Sequence, residues 1–344
     1  MTGRRGHDTD LNTRLTTETP RRRAVEWRCL VNKRSSGLTV VEALVAIAII
    51  GMLLALLLPA IQAARETGRR NTCKNHLRNM AEAIGHHESV YRRLPSNGWG
   101  FQWFGDPDRG TAQNQPGGWV YNILPYVDGR DLAVLGASQP ETVKRRLAAE
   151  ANQTVLGLFY CPTRRGVGLY PFDMAWPPRN ADLVAETAKT DYAINAGDVF
   201  IPAGGPLSYQ QAADPKFVWT DFSKATGVSY FRSMVTLANV RDGTSLTYLV
   251  GEKNLSSAGM DPGDDQGLLV GYDLDNSRWT LPGSRPRPDG SVSSPRDFGS
   301  SHPGVCQFIM CDGSARAISF EIDPWVHRRL GSRSDGGVID AAAF

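Results

Sequence analysis

The sequence predicts an α+β protein in which one long N-terminal helix packs on a mainly antiparallel, β-rich body. The helix is predicted by 19 uncharged, mostly apolar residues from Ala43 to Ile61, followed by apolar residues at helical spacing. The body is predicted by short β-branched and aromatic runs separated by glycine, proline, asparagine and aspartate. We therefore expect three regions: a basic, disordered segment (1–37), an apolar helix (38–64) and an α+β body (65–344).

Charge and cysteine content narrow the class of protein. Residues 1–37 hold nine Lys/Arg against four Asp/Glu, whereas the remaining 307 residues hold 29 against 31. A nucleic-acid-binding domain needs a basic face, so we expect no nucleic-acid partner for this near-neutral body. The five cysteines include no C-x2-C pair, and the sequence therefore does not predict a zinc cluster.

The apolar run has the length of a membrane-spanning helix. At 1.5 Å per residue it extends about 28 Å, close to the ~30 Å hydrocarbon core of a bilayer. A secretory signal peptide has a shorter core with a cleavage site after it, whereas the small residues near Ala60–Ala64 lead directly into a charged helix. A plain signal anchor has the right length, but it gives no role to Glu42 at the start of the run.

The residues around Glu42 resemble the bacterial prepilin and pseudopilin N-terminal motif. The stretch "KRSSG" ends at Gly37 and "LTVVE" ends at Glu42, followed by the apolar run, although the family usually has Phe where Leu38 stands. The resemblance implies cleavage after Gly37 by a prepilin peptidase and N-methylation of Leu38. It also implies that Glu42 pairs with the new amine of a neighbouring subunit, since opposite charges attract strongly at low dielectric. The alternative is that Glu42 only reaches back to the lipid headgroups.

The same resemblance implies a location and a set of partners. The protein would cross the inner membrane once, with its N-terminus cytoplasmic and its body periplasmic or extracellular. Basic residues flank both ends of the apolar run, so loop charge does not set this orientation. The implied partners are inner-membrane lipid, the prepilin peptidase and methylase, and sister pilin-like subunits.

Beyond the apolar run, the pattern predicts a helix to about residue 94 and then mostly strands. The helix is indicated by a stripe at Cys73, Leu77, Met80, Ile84 and Tyr91, and Pro95 and Gly98 end it. A second helix is expected within 131–152, and "VCQFIMCDGSARAISF" predicts a hairpin that turns at Asp312-Gly313. Other strands are expected in "GWVYNILPYVD", "TVLGLFYCP", "TDYAINAGD", "KFVWTDF", "GTSLTYLVGEKN" and "GLLVGYD".

The body is similar to the C-terminal domain of unknown function 1559, which follows such N-terminal motifs in large prepilin-like proteins. The matching stretches are "RRNTCKNHLRNMAEAI", "GWVYNILPYVD", "FYCPTRR", "TDYAINAGD", "VRDGTSLTYLVGEKN", "DPGDDQG", "GYDLDNSRW" and "FGSSHPGVCQFIMCDGSARAIS". This resemblance implies a pseudopilin-like body without assigning a reaction to it. Cys73 and Cys161 both fall in matched stretches, and the resemblance favours a disulfide between them.

Three further groups of residues suggest chemistry. A set of acidic residues has the ligand type that Ca²⁺ prefers, and some pseudopilins hold calcium in a C-terminal loop; the alternative is a solvated loop. These residues are Asp261, Asp264, Asp265, Asp273 and Asp275. Five tryptophans are expected to fill space beneath loops rather than to form a carbohydrate platform. They are Trp99, Trp103, Trp119, Trp279 and Trp325.

A hydrolase site at "SSHPG" is disfavoured. Ser300, Ser301 and His302 lack the G-x-S-x-G elbow, and Asp312 is better explained as a turn residue. We expect His302 to hydrogen-bond a loop backbone. The expected function is therefore a non-enzymatic, membrane-anchored, pseudopilin-like structural protein that assembles into a pilus or a type II secretion-like filament. The alternative is an anchored module that binds a glycan or peptide without polymerising.

Overall fold

The structure, a computed structural model, describes residues 39–173, 175–290, 292–340 and 344. The chain forms two compact units whose boundary lies between Leu57 and Leu58. Helix α1, Val40–Tyr91, has 52 residues and belongs to both units. The expected basic segment and the expected cleavage site lie outside the described residues.

The first unit contains the apolar start of α1. One helix in the described part of the chain is long and apolar enough to cross a membrane, and this is α1. None of its most apolar 18 residues is buried. The predicted long apolar N-terminal helix is thereby confirmed.

In the second unit, α1 buries one stripe of side chains against the body. The buried residues recur every three or four positions, as expected for one helix face. They are Cys73, Leu77, Met80, Ala83, Ile84 and His87. The prediction for Tyr91 is wrong: this ring is 38% exposed, and His87 occupies the corresponding place on the stripe. The helix ends at Tyr91, because the next residue, Arg92, has a φ of 58° that departs from helical geometry.

A five-stranded sheet forms the centre of the body. The described residues contain nine short strands: β1 (Tyr170–Pro171), β2 (Glu186–Thr187), β3 (Tyr192–Asn195), β4 (Tyr248–Glu252), β5 (Ser277–Arg278), β6 (Arg287–Pro288), β7 (Gly299–Ser300), β8 (Val305–Met310) and β9 (Ala315–Ser319). The spatial order in the central sheet is β5-β3-β4-β8-β9, with β3 and β5 parallel and the other neighbours antiparallel. Strands β1 and β2 pair with each other, as do β6 and β7.

Helices cover both faces of the sheet. The other α-helices are α2 (Trp119–Ile123), α3 (Arg130–Val134), α4 (Glu141–Asn152), α5 (Tyr209–Ala213) and α6 (Pro324–Gly331). Leu77 and Met80 of α1 share one buried cluster with Ile194 of β3. On the opposite face, Val326 and Leu330 of α6 share a second cluster with Phe308 of β8. Alternate residues of each strand point to opposite faces, which gives the sheet a core on each face.

The predicted hairpin is confirmed. Strands β8 and β9 pair over five registered positions, from Val305 opposite Ser319 to Ile309 opposite Ala315. Gly313 has a φ of 82°, which favours glycine, and the Asp312 carboxylate accepts a 2.8 Å hydrogen bond from the Ser314 amide. Asp312 is therefore a turn residue, as expected.

Several predicted strands are wrong, although "TDYAINAGD" and "GTSLTYLVGEKN" do contain β3 and β4. The stretch "GWVYNILPYVD" forms α2 and the 3-10 helix Leu124–Tyr126, and "TVLGLFYCP" forms the 3-10 helix Gly157–Phe159. "KFVWTDF" contains no strand in the described chain, and "GLLVGYD" contributes only an isolated bridge at Val270. Residues 119–124 are buried without alternation, and such runs do not distinguish helix from strand.

The buried His327 side chain should make the stability of the body sensitive to acid. Burial lowers its pKa from 6.5 to about 3, and its Nε2 has no hydrogen-bond partner among the described residues. The unfolded chain binds a proton below pH 6.5 while the folded chain does not, so acidification favours unfolding. Between pH 7 and pH 5, wild type should lose about 2 kcal/mol more unfolding free energy than His327→Gln, measured by urea unfolding in detergent.

The exposed His86 provides the matched control for this measurement. The His86→Gln variant should lose as much stability on acidification as the wild type, because it leaves His327 buried and unchanged. An equal loss in His327→Gln and wild type would contradict the assigned role of His327.

Candidate functional site

Glu42 caps the first turn of α1. Its carboxylate accepts hydrogen bonds of 2.9 Å from both the amide and the hydroxyl of Thr39, and its own amide donates to the Thr39 hydroxyl at 3.2 Å. This reciprocal pattern is a capping box, which satisfies backbone donors that lack partners at a helix start. The sequence "TVVE" contains this pattern, but our sequence analysis did not identify it. Gly37 and Leu38, just before it, lie outside the described residues.

A second group of polar side chains is buried where α1 meets the sheet. Cys73 comes from α1, Cys161 follows the 3-10 helix Gly157–Phe159, Glu252 ends β4, and His302 lies between β7 and β8. All four residues are at most 1% exposed. We call this group the buried cluster. Its members are 50 or more positions apart in sequence, and only the fold brings them together.

The donor atoms of the buried cluster converge on one point. The two Sγ atoms are 3.1 Å apart, and Cys161 Sγ lies 3.6 Å from His302 Nε2. His302 Nε2 lies 3.2 Å from Glu252 Oε1. One atom from each residue lies within 4.8 Å of all the others.

Glu66 of α1 holds the other side of the His302 ring. Its Oε1 lies 2.6 Å from His302 Nδ1, and its Oε2 accepts a 2.7 Å hydrogen bond from Arg69 and a 3.2 Å hydrogen bond from Thr163. The expectation that His302 bonds a loop backbone is therefore wrong, because carboxylates and a thiol surround its ring nitrogens. Sequence analysis missed Glu66, since 236 positions separate it from His302.

The cluster shifts the pKa values of its members. The hydrogen bond between the thiols lowers the pKa of Cys161 to about 6 and raises that of Cys73. Burial lowers the pKa of His302, but its contacts with Cys161, Glu252 and Glu66 outweigh burial and raise the pKa to about 10. Perturbed groups that face one another mark this cluster as a candidate functional site.

The two neighbouring serines do not complete a hydrolase site in the described residues. The Ser301 hydroxyl donates to Asp289 at 2.5 Å, and the Ser300 hydroxyl accepts from the His302 amide at 3.1 Å. Neither contact places a hydroxyl on the imidazole that would activate it. Cys73 and Cys161 are present as thiols, and the disulfide between them stays a prediction.

The five aspartates proposed for calcium divide into two sets. Asp261 accepts hydrogen bonds from the Ser256 and Gly263 amides, and Asp264 pairs with Arg165 at 2.5 Å. These two residues already have partners. One carboxylate oxygen from each of the remaining three lies within 4.8 Å of the other two; these residues are Asp265, Asp273 and Asp275.

The remaining three aspartates, which we call the aspartate triad, repel one another. Burial, together with the neighbouring Asp275 carboxylate, raises the pKa of Asp265 to about 8. Burial and Asp275 likewise raise the pKa of Asp273. Asp275 Oδ2 is buried and has no hydrogen-bond partner among the described residues. A bound cation would replace the protons that these carboxylates otherwise retain. Calcium binding at this triad stays a prediction.

The tryptophans mostly fill the interior. Trp99, Trp103, Trp119 and Trp279 are at most 2% exposed, whereas Trp325 is 52% exposed. Trp99 and Trp103 belong to an aromatic cluster with Phe231 and Tyr272. Four of the five rings therefore present no face to a carbohydrate.

Two family models match the chain. Residues 62–325 match the model described as a protein of unknown function (DUF1559), and residues 32–58 match the prokaryotic N-terminal methylation motif. The first match spans the buried cluster and the aspartate triad, and the second contains Glu42. No curated protein and no solved structure matches the chain.

The aspartate triad predicts stabilisation by calcium. Calcium at a hundred times its Kd should add about 2.7 kcal/mol to the unfolding free energy and should raise the Tm of the detergent-solubilised protein. Asp275→Asn should abolish this increase, whereas Asp312→Asn in the exposed hairpin turn should retain it. An unchanged Tm of the wild type in millimolar calcium would contradict the prediction.

Proposed function

The chain belongs to the family described as protein of unknown function (DUF1559), and on that basis we propose that it is a pilin-like structural protein assembled from a membrane-anchored precursor. The observation that carries this proposal is an apolar helix start without buried residues that begins, within a methylation motif, at a glutamate-capped turn. The motif supports processing by a prepilin peptidase, and the apolar helix supports anchoring in a membrane.

Processing after Gly37 would change the charge at the start of α1. Cleavage releases the basic leader and gives Leu38 a cationic amine, only four positions before Glu42. A carboxylate at the edge of the hydrocarbon is costly unless it has a partner. The Leu38 amine of a neighbouring subunit would provide that partner and would set the axial register between sister helices.

The anchored helix would position the body outside the cytoplasm. Prepilin-type cleavage occurs on the cytoplasmic face before the apolar run, so the mature helix stays attached to everything that follows it. A long C-terminal domain is translocated largely regardless of the charge that flanks its anchor. We therefore place the body in the periplasm or at the cell exterior, with a structural and not a catalytic role.

The capping box refines the test of Glu42. Glutamine at this position can still accept hydrogen bonds from Thr39, but it carries no charge. Glu42→Gln therefore removes the intersubunit ion pair while it keeps the cap, and Thr39→Ala removes the cap hydroxyl while it keeps the charge. Comparing these two variants separates assembly from local helix stability.

We predict that Glu42→Gln and Glu42→Ala both abolish recovery of sheared filaments from the native host, because each leaves the Leu38 amine without an anionic partner. Membrane insertion and protease resistance of the body should stay at wild-type levels. Thr39→Ala should still assemble, at a cost of about 1 kcal/mol in local helix stability. Filament yield is measured by immunoblotting sheared fractions against whole-cell protein.

The alternative function is an anchored module that does not polymerise. It predicts that wild type yields no filament while all variants remain in the membrane fraction. Filament recovery from Glu42→Gln at the wild-type level would contradict the charge-pairing role while leaving membrane anchoring intact.

A further inference from the structure

The buried cluster has the composition and shape of a metal site. A tetrahedral zinc ion with sulfur at 2.3 Å and nitrogen or oxygen near 2.1 Å places its ligand atoms about 3.3 to 3.8 Å from each other. The observed separations are 3.6 Å from Cys161 Sγ to His302 Nε2 and 3.2 Å from His302 Nε2 to Glu252 Oε1. The 3.1 Å between the two sulfurs is shorter, so bound zinc would move them apart by a fraction of an ångström.

One carboxylate oxygen of the cluster is buried without a well-aligned hydrogen bond. Glu252 is completely buried, and its Oε2 accepts a 2.8 Å hydrogen bond from the Gln307 amide. Its Oε1 points into the cluster, where it lies 3.2 Å from His302 Nε2 without accepting a well-aligned hydrogen bond among the described residues. A carboxylate oxygen held so weakly in the interior is costly, and a cation coordinated there would lower the cost.

The surroundings of His302 match those of a metal-bound imidazole. A metal-ligating histidine usually donates its other ring N–H to a carboxylate, which fixes the tautomer and the ring orientation. Glu66 accepts a hydrogen bond from Nδ1 over 2.6 Å and thereby leaves Nε2 facing Cys161 and Glu252, where a metal ion would replace its proton. Arg69 and Thr163 in turn hold the Glu66 carboxylate in place.

We propose that Cys73, Cys161, Glu252 and His302 bind one zinc ion. Two thiolates, one imidazole and one carboxylate form a mixed soft and hard donor set that suits Zn²⁺ better than Ca²⁺ or Mg²⁺. All four positions are taken by buried side chains, so the site is structural and leaves no open position for a substrate. The ion fastens α1 to the loop before β1, to β4 and to the loop before β8.

The proposed zinc site differs from two expectations drawn from the sequence for the same residues. The absence of C-x2-C spacing disfavoured a zinc cluster, but the fold supplies ligands from four distant segments instead. A Cys73–Cys161 disulfide would consume both thiolates and would exclude the ion. The two states therefore compete, and metal analysis separates them.

The test uses full-length protein purified in detergent without reductant or chelator. Elemental analysis should find about one zinc per chain, and Cys161→Ser and Cys73→Ser should each reduce the content to below about a tenth. Cys311→Ser should retain the wild-type content, because the Cys311 thiol lies 3.7 Å from the Tyr248 carbonyl and outside the cluster.

Two further measurements test the site even if the cysteine variants fail to fold. Wild type exchanged with Co²⁺ should show the visible absorption of tetrahedral cobalt together with a sulfur-to-metal charge-transfer band. Glu66→Gln should fold normally yet bind zinc about 10- to 100-fold more weakly, measured by competition with a chromogenic chelator.

Three results would overturn the zinc site. The first is a Cys73–Cys161 disulfide in native metal-free protein that binds no cobalt after reduction. The second is reduced wild type that takes up neither metal, which would leave His302 as an imidazolium between Glu66 and Glu252. The third is full zinc content in Cys161→Ser. None of these results bears on filament assembly, so the zinc site and the proposed function fail independently.

Discussion

The exposed apolar start of α1 is the constraint on which the biology of this chain depends. Fourteen large apolar side chains between Val40 and Ile61 are exposed. Covering them is worth on the order of 10–30 kcal/mol, which matches or exceeds the 5–15 kcal/mol net stability of a typical domain. The segment therefore needs lipid or other apolar helices around it. A membrane anchor that can later pack against sister subunits satisfies this need in both locations.

Apolar and polar contacts contribute differently to the packing of α1 on the body. The buried stripe that includes Leu77 and Met80 supplies most of the favourable area, but apolar contacts are non-directional and tolerate small shifts. The contacts of Glu66 and Cys73 with the buried cluster are directional, and they fix the rotation and axial position of the helix. A zinc ion coordinated by that cluster would fix the rotation and axial position of α1 more strongly, through metal–ligand bonds.

The sequence predicts the features that local pattern determines. The long helix, the β8–β9 hairpin and the turn at Asp312-Gly313 follow from composition, periodicity and turn chemistry. The short helices near Trp119 and Gly157 were mistaken for strands, because uniform burial removes the alternation that identifies a half-buried strand. The buried cluster was predicted only in part: the family resemblance paired Cys73 with Cys161, but no local signal brings Glu252 and His302 to them, or Glu66 to His302 over 236 positions. The aspartate triad was predicted in part, as sequence could not separate it from Asp261 and Asp264.

Intact-mass analysis of protein extracted from the membranes of its native host tests the central claim most directly, because it reads the first residue and the terminal modification together. A prepilin-type precursor predicts a chain that starts at Leu38 and carries one added methyl group on its amine. A chain that starts at Met1, or one that starts after Ile61 without the apolar helix, would contradict the account. In either case the cationic partner for Glu42 would not exist.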